Sequence, residues 1–131
     1  MGTYYKGGAS HYHSISENVS SLKRKYPYKD GYFGKKGDSS TNAKVRHIES
    51  NDPQTTARAF YDKAAYGGIE EPIYNKRTGD KIGMKTTLAD GSVITWRNVS
   101  SSDRSPAVDI NISRSQDSGG VKEQKIHFVK R

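Results

Sequence analysis

Thr86-Thr87-Leu88-Ala89-Asp90-Gly91-Ser92-Val93-Ile94-Thr95-Trp96-Arg97 is the stretch whose reading decides the fold class. Apolar and polar residues alternate after an Asp-Gly pair, the dipeptide that best tolerates the positive φ of a tight hairpin turn. A period of two marks a strand, and successive side chains of a strand point to opposite faces. Ile94 and Trp96 therefore share one face, while Val93, Thr95 and Arg97 share the other. Two later segments repeat the pattern. In Pro106-Ala107-Val108-Asp109-Ile110-Asn111-Ile112, the residues Val108, Ile110 and Ile112 oppose Asp109 and Asn111; in Gln124-Lys125-Ile126-His127-Phe128-Val129, Ile126 and Phe128 oppose Lys125, His127 and Val129. One face of the resulting sheet is apolar and must be covered. The other collects Thr95, Arg97, Asp109, Asn111, Lys125 and His127.

Upstream the period becomes helical. Ser14-Ile15-Ser16-Glu17 has the form of a capping box, in which serine and glutamate satisfy each other's orphan amides. Ile15, Val19, Leu22 and Tyr26 then form one apolar stripe, with Lys23-Arg24-Lys25 in the last turn and Pro27 beyond it, so a helix is predicted over about 15–26. A second helix begins at Asn51 or Asp52 and Pro53, buries Ala57, Phe60, Tyr61 and Ala64, and stops at Gly67-Gly68. Between them, Lys29 to Ser40 is glycine-rich and basic and reads as a loop, and Lys44-Val45-Arg46-His47-Ile48 reads as a short strand or a turn into the second helix. The expectation is an α+β domain, its N-terminal helices packed on an antiparallel sheet of about four strands. Residues 1–13 read as a flexible N-terminal segment and 14–131 as one domain.

With 131 residues and 31% hydrophobic content, the core must be small and rich in aromatic rings. Twenty-two basic against fourteen acidic residues give a net charge of +8, which points to a polyanionic partner. No basic amphipathic helix suggests a membrane surface. No apolar run is long enough to span a bilayer, and Met1-Gly2-Thr3-Tyr4 does not read as a signal peptide, so any export would be directed from outside this chain. The absence of cysteine removes disulfides, thiolate catalysis and thiolate zinc sites.

The polar sheet face holds what metal-independent cleavage of a phosphodiester needs. One group must take a proton from an attacking 2′-hydroxyl and another must return one to the leaving oxygen, work suited to histidine. Arginine and lysine must stabilise charge on the pentacoordinate phosphate. By type, His127, Arg97 and Lys125 fit those roles, and Asp109 either joins them or pairs with the neighbouring cations. The loop Ser100-Ser101-Ser102-Asp103-Arg104-Ser105-Pro106 is dense in donors and could hold a phosphate through hydroxyls, amides and Arg104, or could simply be solvated. Lys44-Val45-Arg46-His47 offers a second histidine between cations, as the other half of an acid/base pair or as a solvated turn. The candidate catalytic set is His127, Arg97, His47, Arg46, Ser105 and Asp109; the candidate substrate-binding set is Lys125, Thr95, Asn111, Arg104, Ser101 and Lys44. His11-Tyr12-His13 is a weak chelating signal, and no metal or other cofactor is expected. A DNase is the less favoured nuclease, because its commoner mechanisms need a metal-ligand cluster. A non-catalytic RNA-binding module would use the same basic face but would place several rings there for stacking.

Several strings carry a resemblance. Gly31-Tyr32-Phe33-Gly34-Lys35-Lys36-Gly37, Lys44-Val45-Arg46-His47-Ile48, Phe60-Tyr61-Asp62-Lys63-Ala64-Ala65-Tyr66-Gly67-Gly68, the segment from Ser100 to Asp109, and Gln124-Lys125-Ile126-His127-Phe128-Val129 resemble C-terminal domains of bacterial polymorphic toxins of the LXG and contact-dependent inhibition types. Such domains are similar to the superfamily that groups barnase, EndoU, colicin D and RelE. The resemblance implies helices on a four-stranded antiparallel sheet and metal-free cleavage of RNA, often tRNA, to a cyclic phosphate. It also implies secretion within a larger toxin, action in the target cell's cytoplasm, and a cognate immunity protein, for which the charge suggests an acidic surface. By type and position it carries over to Arg97, His127 and the serine loop. One departure is that Arg104 stands where the pattern Ser-Asp-Gly-Ser-Pro would have glycine, which alters the backbone freedom of that loop.

Overall fold

The structure is a computed structural model that describes residues 4–5, 14–37, 42–100 and 104–131, with Tyr4 and Tyr5 described by backbone alone. Among the described residues, ten strands and two helices follow in the order β1 (Tyr4–Tyr5), α1 (Ile15–Lys23), β2 (Tyr28–Lys29), β3 (Tyr32–Phe33), β4 (Lys35–Lys36), β5 (Val45–Ser50), α2 (Pro53–Ala64), β6 (Ile69–Tyr74), β7 (Lys81–Thr87), β8 (Val93–Arg97), β9 (Ala107–Asn111) and β10 (Gln124–Lys130).

Both helices start as the sequence predicts. The Ser14 hydroxyl accepts from Glu17 N at 3.4 Å and the Glu17 carboxylate accepts from Ser14 N, which closes the capping box. Asp52 caps α2 by accepting from Thr55 N at 3.2 Å, with Pro53 in the first turn. The buried residues of α2 are Ala57, Phe60, Tyr61 and Ala64, as the stripe requires. α2 lies on β5, β8, β9 and β10, and α1 packs chiefly on α2. Phe60 joins the layers, 5.1 Å from Phe33 and 5.5 Å from Phe128 between ring centroids.

The sheet departs from the expectation. It has eight strands in the order β1-β6-β7-β8-β9-β10-β5-β4, not about four. It is mixed rather than antiparallel, because β5 runs parallel to β10. Nor do the helices precede it: α2 follows β5 and precedes β6, both strands of the one sheet. The segment read as a loop after Lys29 contains a β2–β3 hairpin with an Asp30-Gly31 turn (φ +53° and +91°), followed by β4. Two hydrogen bonds lock this hairpin to β10: Phe33 N donates to Gln124 Oε1 and Gln124 Nε2 donates to the Gly31 carbonyl.

The assignment of faces holds. Ile94, Val108, Ile110, Ile126 and Phe128 are buried in the core against the helices, with Trp96 and Ile112 packed at its margin. Among the described residues, no helix covers the opposite face of the central strands.

Candidate active site

Cross-strand register arranges the uncovered face in rows. One row runs Gly83, Arg97, Ala107, His127, His47, Lys35 across β7, β8, β9, β10, β5 and β4. The next runs Lys85, Thr95, Asp109, Lys125, Val45. Directly paired residues point to the same face, so each row is a line of neighbouring side chains. Glycine and alanine on either side of Arg97 leave its guanidinium room. Arg97 is half-buried, and among the described residues its side chain makes no hydrogen bond or close ion pair.

The parallel β5–β10 ladder sets His47 opposite His127, with ring centroids 5.8 Å apart and planes at 79°. His47 is half-buried, and a Cβ added at Gly37 would lie 3.2 Å from its Nε2, a contact tight enough to press on the imidazole. His127 is 3% exposed, which a polar residue on an open face would not suggest. Its Nδ1 lies 3.1 Å from the Ser105 hydroxyl, in the segment joining β8 to β9. That segment also holds Arg104 at φ +66°, the left-handed region where glycine is at ease and arginine is strained. The backbone thus has the form that a glycine pattern implies, with an exposed cation in its place.

Beside the histidines lies a cleft of about 450 Å³ lined by Thr95, Arg97, Asp109, Asn111, Lys125 and Lys44 among others. Burial pushes the Asp109 carboxyl above the usual carboxylate range, with a small push from Glu123, while Lys125, Arg97 and His127 pull it down. Asn111 is exposed at the end of β9, and its side-chain oxygen accepts from Ser113 N and Oγ.

Of the twelve candidate residues, Arg97, His127, His47, Ser105, Asp109, Lys125, Thr95 and Lys44 come together on this face, Asn111 sits at its margin, and Arg104 lies in the adjoining segment. Arg46 does not join them. It pairs with Ile126 on the core side of β5, and its guanidinium donates to the carbonyls of Phe33, Gly34 and Ala43 while it covers the Tyr32 ring. That position is structural, clamping β3 to β5. Ser101 and the His11-Tyr12-His13 motif lie outside the described residues. Ala107, Gly83 and Lys35 were not singled out by residue chemistry, since their part in the row is visible only once the register is known; nor was Gly37, which lies against His47.

Among the described residues, no cluster of three or more His, Asp or Glu side chains is placed to hold a metal ion. No helix among them is long and apolar enough to cross a membrane. No protein-family model matches the chain, and no curated protein or solved structure matches it. The geometry of the site and the sequence resemblance therefore carry the functional reading.

Proposed function

We propose that the chain is an endoribonuclease that breaks RNA by attack of a 2′-hydroxyl on the adjacent phosphate without a metal ion. The observation that carries this reading is the pairing of His47 with His127 in one row with Arg97. One imidazole removes the 2′-hydroxyl proton as the new oxygen–phosphorus bond forms. The other, in its protonated form, delivers a proton to the 5′-oxygen as that bond breaks, leaving a 2′,3′-cyclic phosphate and a 5′-hydroxyl. Arg97, whose side chain makes no hydrogen bond or close ion pair among the described residues, stabilises the growing phosphorane charge.

Asp109 keeps the charge around Arg97 and Lys125 partly balanced, and with Thr95 it offers hydrogen-bonding groups to a base edge in the cleft. Because His127 is buried, substrate reaches its ring only as the Ser105 segment shifts and the hydroxyl contact is exchanged. The residues facing outward from β5, β8, β9 and β10 include no Phe, Tyr or Trp, which speaks against a stacking platform for passive RNA binding.

The resemblance extends the proposal to a toxin domain released from a larger secreted protein, cutting tRNA in the target cell's cytoplasm and restrained by an acidic immunity protein. The net charge of +8 supports both an RNA substrate and such a partner. Incubating the purified protein with total RNA and with plasmid DNA in EDTA tests the activity. RNA alone should be cut. Cleavage that needs added magnesium or zinc, or that falls on the plasmid, contradicts it.

A further inference from the structure

We infer that a second anion site lies on the far side of the histidine pair and holds an RNA phosphate flanking the one cleaved, an inference that rests on the ribonuclease reading. Strand β4 pairs only with Arg46 and His47, so Ile48–Ser50 of β5 run past its end. There, a cleft of about 450 Å³ opens between the end of α1, the start of α2 and the residue after β10.

Lys25, Lys35 and Arg131 line this cleft from three separate segments, and Glu49, bound to Lys35 at 3.5 Å, is the single acidic side chain in its lining. Among the described residues, the side chains of Lys25 and Arg131 make no hydrogen bond or ion pair. Three cationic side chains that converge beside one acidic side chain repel one another, and an anion between them relieves the repulsion. A phosphate fits better than a base. The ring at this cleft, Tyr26, is 9% exposed and packed edge-on against Phe60, so it offers no stacking face.

The cleft is continuous with the catalytic row. His47 lines it, and Lys35 stands directly across the β4–β5 ladder from His47, one strand spacing of about 4.8 Å beyond the imidazole. The Arg97–Asp109–Lys125 cleft lies on the other side. An RNA strand that crosses the histidine pair therefore meets cations on both flanks of the scissile bond.

The test uses a short 2′-O-methylated oligoribonucleotide, which lacks the attacking hydroxyl and so reports binding alone. For Lys25→Ala/Arg131→Ala, the slope of log affinity against log salt should become shallower by about 0.7, the contribution of one single-strand phosphate. The control Lys76→Ala/Arg77→Ala, which removes the same charge from the β6–β7 turn, should keep the wild-type slope. An unchanged slope in the first variant, or an equal change in both, overturns the second site and leaves its cations to another partner such as an acidic protein. Total RNA given to the unaltered protein separates the two ideas: if it is cut while the slopes do not differ, this inference alone fails, and if it is not cut, the ribonuclease reading falls first.

Discussion

His47 and His127 stand opposite each other in the parallel β5–β10 ladder, their ring centroids 5.8 Å apart. One histidine comes from before α2 and the other from the last strand, so the pair exists only because β5 adds to the edge of β10. A proton donor and a proton acceptor acting in one cycle require opposite protonation states. The pH profile of kcat/KM should therefore be a bell, and His47→Gln should lose one limb as well as rate, by roughly a hundred- to ten-thousandfold. A profile of unchanged shape in His47→Gln would remove His47 from proton transfer.

His127 calls for a different substitution than the sequence alone suggests. Read as an outward-facing residue, it could be cut back to alanine at little cost in stability. The structure corrects that, since the ring is 3% exposed and truncation would leave a void under the Ser105 segment. His127→Gln keeps most of the volume. It should melt near the wild type and lose cleavage, whereas His127→Ala should lose both. A His127→Gln variant that cuts at the normal rate would make His127 structural.

Arg97→Ala should lower cleavage by roughly a hundred- to a thousandfold, the effect of removing one preorganised donor to a developing oxyanion. Its melting temperature should stay near that of the wild type, because among the described residues the side chain makes no hydrogen bond or close ion pair and Lys125 still faces Asp109. Trp96→Ala, one residue away on the core face, should instead lose about 3 kcal/mol of stability. Calorimetry beside an RNA cleavage assay separates the two, and equal melting losses would show that Arg97 holds the fold.

Asp109 links the site to stability. Burial raises its folded-state pKa above the unfolded value of about 3.9, so the folded state binds the proton more tightly than the unfolded one. Ionisation of Asp109 then costs stability as pH rises through that interval, and the cost vanishes below the unfolded pKa. Asp109→Asn should melt at or above the wild type near pH 7, with the difference shrinking to nothing in acid. A variant less stable than the wild type at pH 7 would mean that attraction to Lys125 and Arg97 outweighs desolvation.

Arg104 at φ +66° gives a backbone test. Arg104→Gly relieves a left-handed residue, worth roughly 1–2 kcal/mol before the greater freedom of unfolded glycine offsets part of it. Arg104→Gly should melt above Arg104→Ala, which keeps the strain. Equal melting points would place that strain elsewhere.

The faces of β8, β9 and β10 were legible because alternation depends only on the pleat, and it places Thr95, Arg97, Asp109, Lys125 and His127 on the open face with Asn111 at its margin. The rest was hidden for identifiable reasons. β6 carries Pro72 and no clean alternation, β7 carries Gly83, and β1 and β4 are two residues each, too short to show a period. The outward turn of His47 and the inward turn of Arg46 were open because Lys44-Val45-Arg46-His47-Ile48 read either as a short strand or as a turn into the second helix. No local pattern names a strand's parallel partner, and that partner brings the two histidines together.

The most direct measurement is the chemistry of the ends produced from RNA in EDTA by the unaltered protein and by His127→Gln. A 2′,3′-cyclic phosphate and a 5′-hydroxyl from the unaltered protein, and neither from the variant, is the expected result. A 5′-phosphate and a 3′-hydroxyl, cleavage only after a divalent metal is added, or the same cyclic ends at the same rate from His127→Gln would contradict it.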